Sequence, residues 1–126
     1  MRTRFGPLLA LLLAAAGLAE ETQVTHMTDE SGERQPLHTV VPANPERARR
    51  ERLEGDVQVC FTVDRDGRTS RVRVRTSSHR VFEKAAIAAV RESTYKPMPP
   101  EIRLSGIKTC RTFRFRLMPL AIEQPE

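Results

Sequence analysis

The stretch Glu54–Ser77 constrains the fold most, because two runs of alternating side chains flank a turn. A period of two is typical of a strand with one buried face. In the turn, Asp64–Gly67, aspartate bonds its own backbone and glycine accepts positive φ. Arginines alternate with Val72 and Val74 in the second run. The stretch therefore predicts a β-hairpin. Four apolar side chains of its first strand share the buried face: Val57, Val59, Phe61 and Val63.

Three further elements are predicted around the hairpin. Pro45 after Asn44 favours a helix over residues 46–53, because asparagine caps a helix and proline suits its first position. A second helix is predicted over residues 79–93, and Pro97 ends its continuation. Alternation after Gly106 predicts a third strand over residues 107–117. The second helix carries one apolar stripe, formed by Phe82, Ala85, Ala86, Ala89 and Val90.

The order of these elements predicts an α+β domain over residues 42–118 with the topology α-β-β-α-β. The helix that crosses from the second strand to the third brings the third strand in antiparallel to the first. We therefore expect a three-stranded antiparallel sheet in the order 2-1-3, with both helices on the valine and phenylalanine face.

Residues 1–19 have the pattern of a secretory signal peptide. Arg2 and Arg4 precede an apolar run that ends in the small residues Gly17-Leu18-Ala19. The run is shorter than the roughly 20 apolar residues of a membrane-spanning helix. We expect cleavage after Ala19 and export to the periplasm. An uncleaved leader that anchors the chain in the inner membrane is the alternative.

The remaining segments are polar. Residues 20–41 lack an apolar period and are predicted to be a disordered or extended lead-in, and residues 119–126 a tail. The chain of 126 residues has a formal net charge of +5, which falls to +3 without the two leader arginines. That charge is too small to indicate a nucleic-acid partner, and export argues against one as well.

The two cysteines, Cys60 and Cys110, are out of phase with the buried side chains of their strands. Both are therefore predicted on the outer face of neighbouring strands, in a compartment where disulfides persist. We expect a cross-strand disulfide, and two free thiols are the alternative. Two isolated cysteines make a poor metal site. The same register would set two apolar pairs opposite each other, Val57 with Phe113 and Val63 with Ile107.

The same outer face is predicted to be basic. Such a face could bind an anionic partner such as peptidoglycan, lipid head groups or an acidic peptide. The alternative is a solvated face that prevents aggregation of edge strands. The sequence shows no catalytic triad, paired-carboxylate pattern or phosphate-binding loop, so we expect no enzyme activity, catalytic residue, cofactor or metal. The arginines of this face are Arg71, Arg73 and Arg75 in the hairpin and Arg114 and Arg116 in the third strand.

The ordered set of motifs resembles the C-terminal domain of TonB, the energy-transducing protein of Gram-negative envelopes. The resemblance covers about residues 42–117. It departs from the family pattern at Ser93, where an aromatic residue is common. The matching pieces are Pro45, Leu53-Glu54-Gly55, Asp66-Gly67-Arg68, Phe82-Glu83-Lys84-Ala85-Ala86, Tyr95-Lys96-Pro97 and Phe113-Arg114-Phe115-Arg116-Leu117.

The resemblance implies a periplasmic module that binds a protein or peptide of the envelope, such as a segment of an outer-membrane receptor. In the family, that segment adds a strand along the third strand, where backbone groups supply the affinity. A membrane-anchored energy transducer for such receptors is the alternative. Whether the domain forms a homodimer stays open. By position, the partner-binding residues here would be Arg111, Thr112, Phe113, Arg114, Phe115 and Arg116.

Overall fold

The computed structural model describes residues 20–30 and 32–119. Its main feature is an antiparallel sheet of four strands, in the order β1-β6-β3-β4. A one-turn 3-10 helix, Arg80–Phe82, leads into the second α-helix. The elements are β1 (Glu20–Glu30), β2 (Pro36–His38), α1 (Glu46–Glu51), β3 (Gly55–Val63), β4 (Thr69–Ser77), α2 (Glu83–Glu92), β5 (Thr94–Tyr95) and β6 (Thr109–Pro119).

The α+β class and the antiparallel sheet agree with the prediction. The predicted strands 2, 1 and 3 are β4, β3 and β6, and they lie side by side in the predicted order. The predicted number of strands is wrong, because β1 extends the sheet beyond β6. The outermost strands among the described residues are therefore β1 and β4.

The expectation of a disordered lead-in is corrected by β1. Its residues pair with β6 residues that lie at least 80 positions later in the chain, so local composition could not reveal the pairing. A bulge at Thr25 also breaks the alternation of the segment, which hides its period of two. The inward positions on either side of that bulge are held by Thr22, Val24, Met27 and Asp29.

One face of the sheet carries the core, and both helices contribute to it as predicted. Ala48 of α1 is fully buried in this core. The alanines of α2 allow the helix to lie close to the sheet, and Ala86 is fully buried. The ring of Phe82 stacks on that of Phe115, with 4.2 Å between the ring centroids. The other buried apolar members are Val57, Val59, Phe61, Ala89, Val90, Tyr95 and Phe113.

The ends of α1 differ from the prediction. Pro45 is the N-cap residue, and no side chain caps this end of the helix. Arg52 ends the helix by adopting a left-handed conformation with φ of 53°. The helix thus ends before the predicted residue 53, and β3 already begins at Gly55. The residue that adopts the left-handed conformation at the end of a helix is usually glycine. Because this residue is an arginine here, nothing in the sequence indicated that the helix ends at Arg52.

Two register shifts bend the hairpin. One lies between Gln58 and Val59 of β3, and the second between Cys60 and Thr62. Opposite the second shift, Arg71 adopts a positive φ of 53°. Bulges of this kind increase the local twist of a strand pair.

A second, two-stranded sheet of β2 and β5 closes one end of the domain. The hairpin turn joins it, because the carbonyl oxygen of Gly67 accepts a hydrogen bond of 2.8 Å from the Tyr95 amide. Gly67 has φ of 93°, and an added Cβ would overlap the carbonyl oxygen of Tyr95. Glycine is therefore required here for both its conformation and its size.

Replacing Gly67 by alanine should destabilise the fold by about 2–3 kcal/mol, because backbone strain and the steric overlap add. Chemical denaturation monitored by circular dichroism measures this loss. Gly106→Ala is the matched control, since Gly106 has a similar φ of 79° but open space around its Cα. The control should lose about 1 kcal/mol. Equal losses in the two variants would contradict the role of close approach at Gly67.

Candidate functional site

The strand β6 lies between β3 and β1, and its side chains alternate between two environments. Phe113 and Phe115 are fully buried on the core face. Thr112, Arg114 and Arg116 lie on the opposite face, where Arg114 is exposed. Arg111 shares the phase of the phenylalanines and is only 2% exposed. The residues expected to be accessible along the edge of β6 therefore fall into two groups, and only those on the outer face reach solvent. Arg111 is an interior residue.

The backbone edge of β6 is occupied by β1. The antiparallel pairing runs from Glu20 opposite Pro119 to Glu30 opposite Cys110, with the one irregularity at Thr25. An antiparallel ladder of this length engages the main-chain donors and acceptors along the edge of β6. The expectation of a free edge at β6 is therefore corrected for this state of the molecule: the chain's own segment fills it.

A partly buried ionic cluster joins β1, β5 and β6. The Nε and Nη2 atoms of Arg111 donate to the two carboxylate oxygens of Asp29, over 2.5 Å and 2.9 Å. Nη2 also donates to the hydroxyl oxygen of Tyr95 over 2.8 Å, and that hydroxyl donates to Asp29 over 2.8 Å. Nη1 points to the hydroxyl oxygen of Ser93 at 3.5 Å. A bidentate arginine–carboxylate pair in such a setting is strong and directional.

The electrostatics of this cluster fix the protonation states of Arg111 and Tyr95. Burial opposes the charge of Arg111, but the hydrogen bonds to Asp29 and the charge of that carboxylate raise the pKa of the guanidinium above its ordinary value. Burial also raises the pKa of Tyr95, with the positive charge of Arg111 acting in the opposite direction. Arg111 therefore stays charged and Tyr95 stays neutral throughout the physiological range.

Outside this cluster, β1 is attached by weaker contacts. The hydroxyl of Thr22 is buried and donates to the carbonyl oxygen of Leu53 over 2.8 Å. Glu20 and Glu21 form ion pairs of 2.6 Å with arginines of the α1 region, and the arginine side chains are more than half exposed. Exposed ion pairs contribute only about 0–1 kcal/mol each. On the outer face, Glu30 accepts hydrogen bonds from Gln58 and Thr112.

The predicted disulfide is present between Cys60 and Cys110, whose Cα atoms are 4.0 Å apart. The predicted register between their strands is also present, since Val57 lies opposite Phe113. The second predicted pair is wrong: β6 begins at Thr109, and Ile107 is half exposed outside the strand. The disulfide therefore fixes β3 to β6 at the end of the sheet where Glu30 ends β1.

The outer face carries the predicted arginines, but it is not uniformly basic. Arg71, Arg73 and Arg75 are exposed on β4. Arg116 is paired with the carboxylate of Asp56 at 2.7 Å, and hydrogen bonding to Asp56 raises the pKa of its guanidinium. Glu30 adds a further negative charge beside the disulfide. Binding of an anionic partner to this face stays a prediction.

Among residues 20–30 and 32–119, no cluster of three or more His, Cys, Asp or Glu side chains could hold a metal ion. None of the helices in that part of the chain has the length and hydropathy needed to span a membrane.

Sequence reasoning missed the ionic cluster of Asp29, Tyr95 and Arg111. One signal was available: Arg111 is in phase with Phe113 and Phe115, so the predicted strand already put a charge on the core face. A buried arginine requires a carboxylate partner, but the sequence could not identify which one. Asp29 lies in the segment that was expected to be disordered.

The chain matches one family model and is similar to two known proteins. The family model described as Gram-negative bacterial TonB protein C-terminal matches residues 41–117. Protein TonB of Klebsiella aerogenes is 33% identical over 76 residues, which cover 53% of this chain and 31% of that protein. The chain thus spans about a third of the length of that relative. The solution NMR structure of the Pseudomonas aeruginosa TonB CTD is 27% identical, covers 77% of this chain and 94% of its own, and has a TM-score of 0.48.

Proposed function

We propose that this chain, which belongs to the family of Gram-negative bacterial TonB protein C-terminal domains, is a protein-binding module of the cell envelope that serves transport through outer-membrane receptors. Its partner would be an extended segment that adds a strand along the edge of β6. In this mode the backbone supplies most of the affinity, and side-chain pockets at alternate positions supply the specificity. The chain would act as a binding protein and not as an enzyme.

The observation that supports this proposal is the pairing of β1 with β6. A segment that is distant in sequence lies along the edge of β6 in antiparallel register, with one bulge at Thr25. It places Val24 and Met27 against the core. The edge thus accommodates an added strand with apolar side chains at alternate inward positions. The segment that does so here is mostly polar, and it can pair because an uncovered strand edge offers unpaired backbone donors and acceptors.

The experiment is titration with synthetic peptides from the periplasm-facing segments of outer-membrane receptors. Amide chemical shifts or hydrogen exchange would locate the contact on the domain. We expect the amides of β6 and β1 to change most, because the added strand uses the edge between them. The control is the same peptide with alternate backbone amides N-methylated, which keeps the side chains but removes donors. Equal binding of both peptides would contradict strand addition.

The leader suggests where the module works. We propose export to the periplasm with cleavage after Ala19, so that the mature protein starts at Glu20. N-terminal sequencing of the exported protein should give Glu20 as the first residue. Recovery of an intact Met1 in the membrane fraction would favour the alternative, a domain anchored in the inner membrane as an energy transducer.

Uptake measurements separate the binding module from that transducer. Expressed alone in a strain without its own transducer, a binding module should leave receptor-dependent uptake of siderophores at the background level. Restored uptake would establish the transducer role. Any uptake that is observed is checked with a point variant of the full chain in which the pairing of a partner strand with β6 is weakened. Uptake that depends on this pairing should fall in the variant.

A further inference from the structure

The proposed partner site and β1 compete for the same backbone edge. The donors and acceptors of β6 that would receive a partner strand are paired with residues 20–30 in this structure. A partner can therefore bind there only when β1 leaves, and its apparent affinity falls by the fraction of molecules in which β1 is detached. The free energy that holds β1 on the sheet therefore sets the apparent affinity of the site for a partner.

Besides its backbone pairing with β6, β1 is attached by side-chain contacts of unequal strength, and the strongest polar one is near its end at Asp29. Among its side chains, Thr22 is fully buried, whereas the ion pairs of Glu20 and Glu21 are partly exposed to solvent. Asp29 is different, because it supplies both oxygens to the buried guanidinium of Arg111 and accepts from Tyr95. Loss of this carboxylate leaves a buried charge without its counterion, which is costly.

The same cluster defines what a displacing strand must carry. The side chain of Arg111 is 3% exposed, and its acceptors are Asp29, Tyr95 and Ser93. When β1 leaves, Tyr95 and Ser93 remain on the body of the domain, but neither offers a negative charge. A replacing strand must therefore place a carboxylate opposite Arg111. It must also place apolar side chains opposite Phe113 and Phe115, where β1 has Met27 and Val24.

We propose that β1 is an intramolecular competitor for the partner site on β6, released when an antiparallel segment with a carboxylate opposite Arg111 and apolar side chains opposite Phe113 and Phe115 takes its place. This inference rests on the proposed function and adds to it the partner's chemistry and the occupancy of the site. Asp29 holds β1 on the sheet through its ion pair with Arg111, and Arg111 selects a partner that carries a carboxylate.

The test uses a fluorescent synthetic peptide with the sequence of residues 20–30, which fits the edge of β6 by the observed pairing. Binding is measured by anisotropy to the full chain and to the full-chain variant Asp29→Asn. Because the variant weakens the attachment of β1 to the sheet, we expect it to bind the peptide at least roughly tenfold more tightly. That change corresponds to about 1.4 kcal/mol. A second peptide with asparagine at the position of Asp29 should lose this gain.

The matched control is Glu20→Gln, which makes the same change of charge on β1 but breaks only an exposed ion pair with Arg52. It should bind the peptide as the native chain does. Hydrogen exchange is measured in parallel. The amides of β1 should exchange faster in Asp29→Asn while those of β3 keep their protection, which shows that the variant is folded.

A covalent lock supplies the second variant. His26 and Arg114 lie opposite each other, and both are exposed. Substituting both (His26→Cys with Arg114→Cys) allows a disulfide between β1 and β6, and peptide mapping verifies that Cys60–Cys110 is retained. The oxidised lock should abolish peptide binding, and selective reduction of the lock should restore it.

The outcomes separate the two proposals. Equal binding by the native, Asp29→Asn and locked chains would show that the peptide does not compete with β1. That result would overturn the competitor role and would mean that the strand adds at an edge other than that of β6. Absence of binding by Asp29→Asn, in a sample whose β1 amides exchange rapidly, would overturn both strand addition at β6 and the inference that rests on it. Tighter binding by Asp29→Asn and none by the oxidised lock supports both.

Discussion

Replacing both Cys60 and Cys110 by alanine is expected to lower the free energy of unfolding by about 4 kcal/mol, because the disulfide closes a long loop in the unfolded chain. The cysteines are separated by 50 positions. An unfolded chain with that cross-link has far fewer conformations than one without it. For a small domain, whose net stability is typically only about 5–15 kcal/mol, a loss of this size is severe.

Urea denaturation of the oxidised chain, the reduced chain and the double variant measures this effect. The reduced chain and the double variant should have similar midpoints, both below that of the oxidised chain. Reductant should leave the double variant unchanged, which controls for effects of the reductant itself. Equal midpoints for the oxidised and reduced chains would contradict the stabilising role, and two alkylatable thiols in exported protein would contradict the bond.

The disulfide shows what the sequence could predict. Parity alone put Cys60 and Cys110 on one face, and the same parity set Val57 opposite Phe113. Side-chain alternation in a strand depends on the backbone geometry of that strand and holds wherever its core face is apolar. The prediction stopped being correct at Ile107, where the chain has left the strand and alternation no longer determines direction.

The first strand shows what the sequence could not predict. Residues 20–30 are polar, and their one-residue bulge at Thr25 shifts the inward positions from even to odd numbers. The segment forms a strand because β6 offers it a partner, and this is a property of the assembled sheet. The candidate site was affected directly, since the edge expected to be accessible is the one that β1 covers.

The cluster of Asp29 and Arg111 leads to a second large effect. Replacing Asp29 by leucine should lower the free energy of unfolding by about 3 kcal/mol, because a buried guanidinium loses its counterion. Replacing Arg111 by methionine should cost less, because a quarter of the Asp29 side chain is exposed and water can solvate the remaining carboxylate. The double variant should lie within about 1 kcal/mol of the native chain, since well-packed apolar residues replace buried ion pairs at little cost.

Urea denaturation of the four chains, with the native disulfide intact, gives the coupling between the two residues. Additive losses in the double variant would contradict a buried, mutually dependent pair.

The dependence of stability on urea separates two causes of the loss in Asp29→Leu. If β1 stays on the sheet, the slope is unchanged and the whole domain is weaker. If β1 detaches before the domain unfolds, less surface is left to expose and the slope falls. We expect the lower slope, because detachment lets water reach Arg111 and limits the loss to the free energy that holds β1.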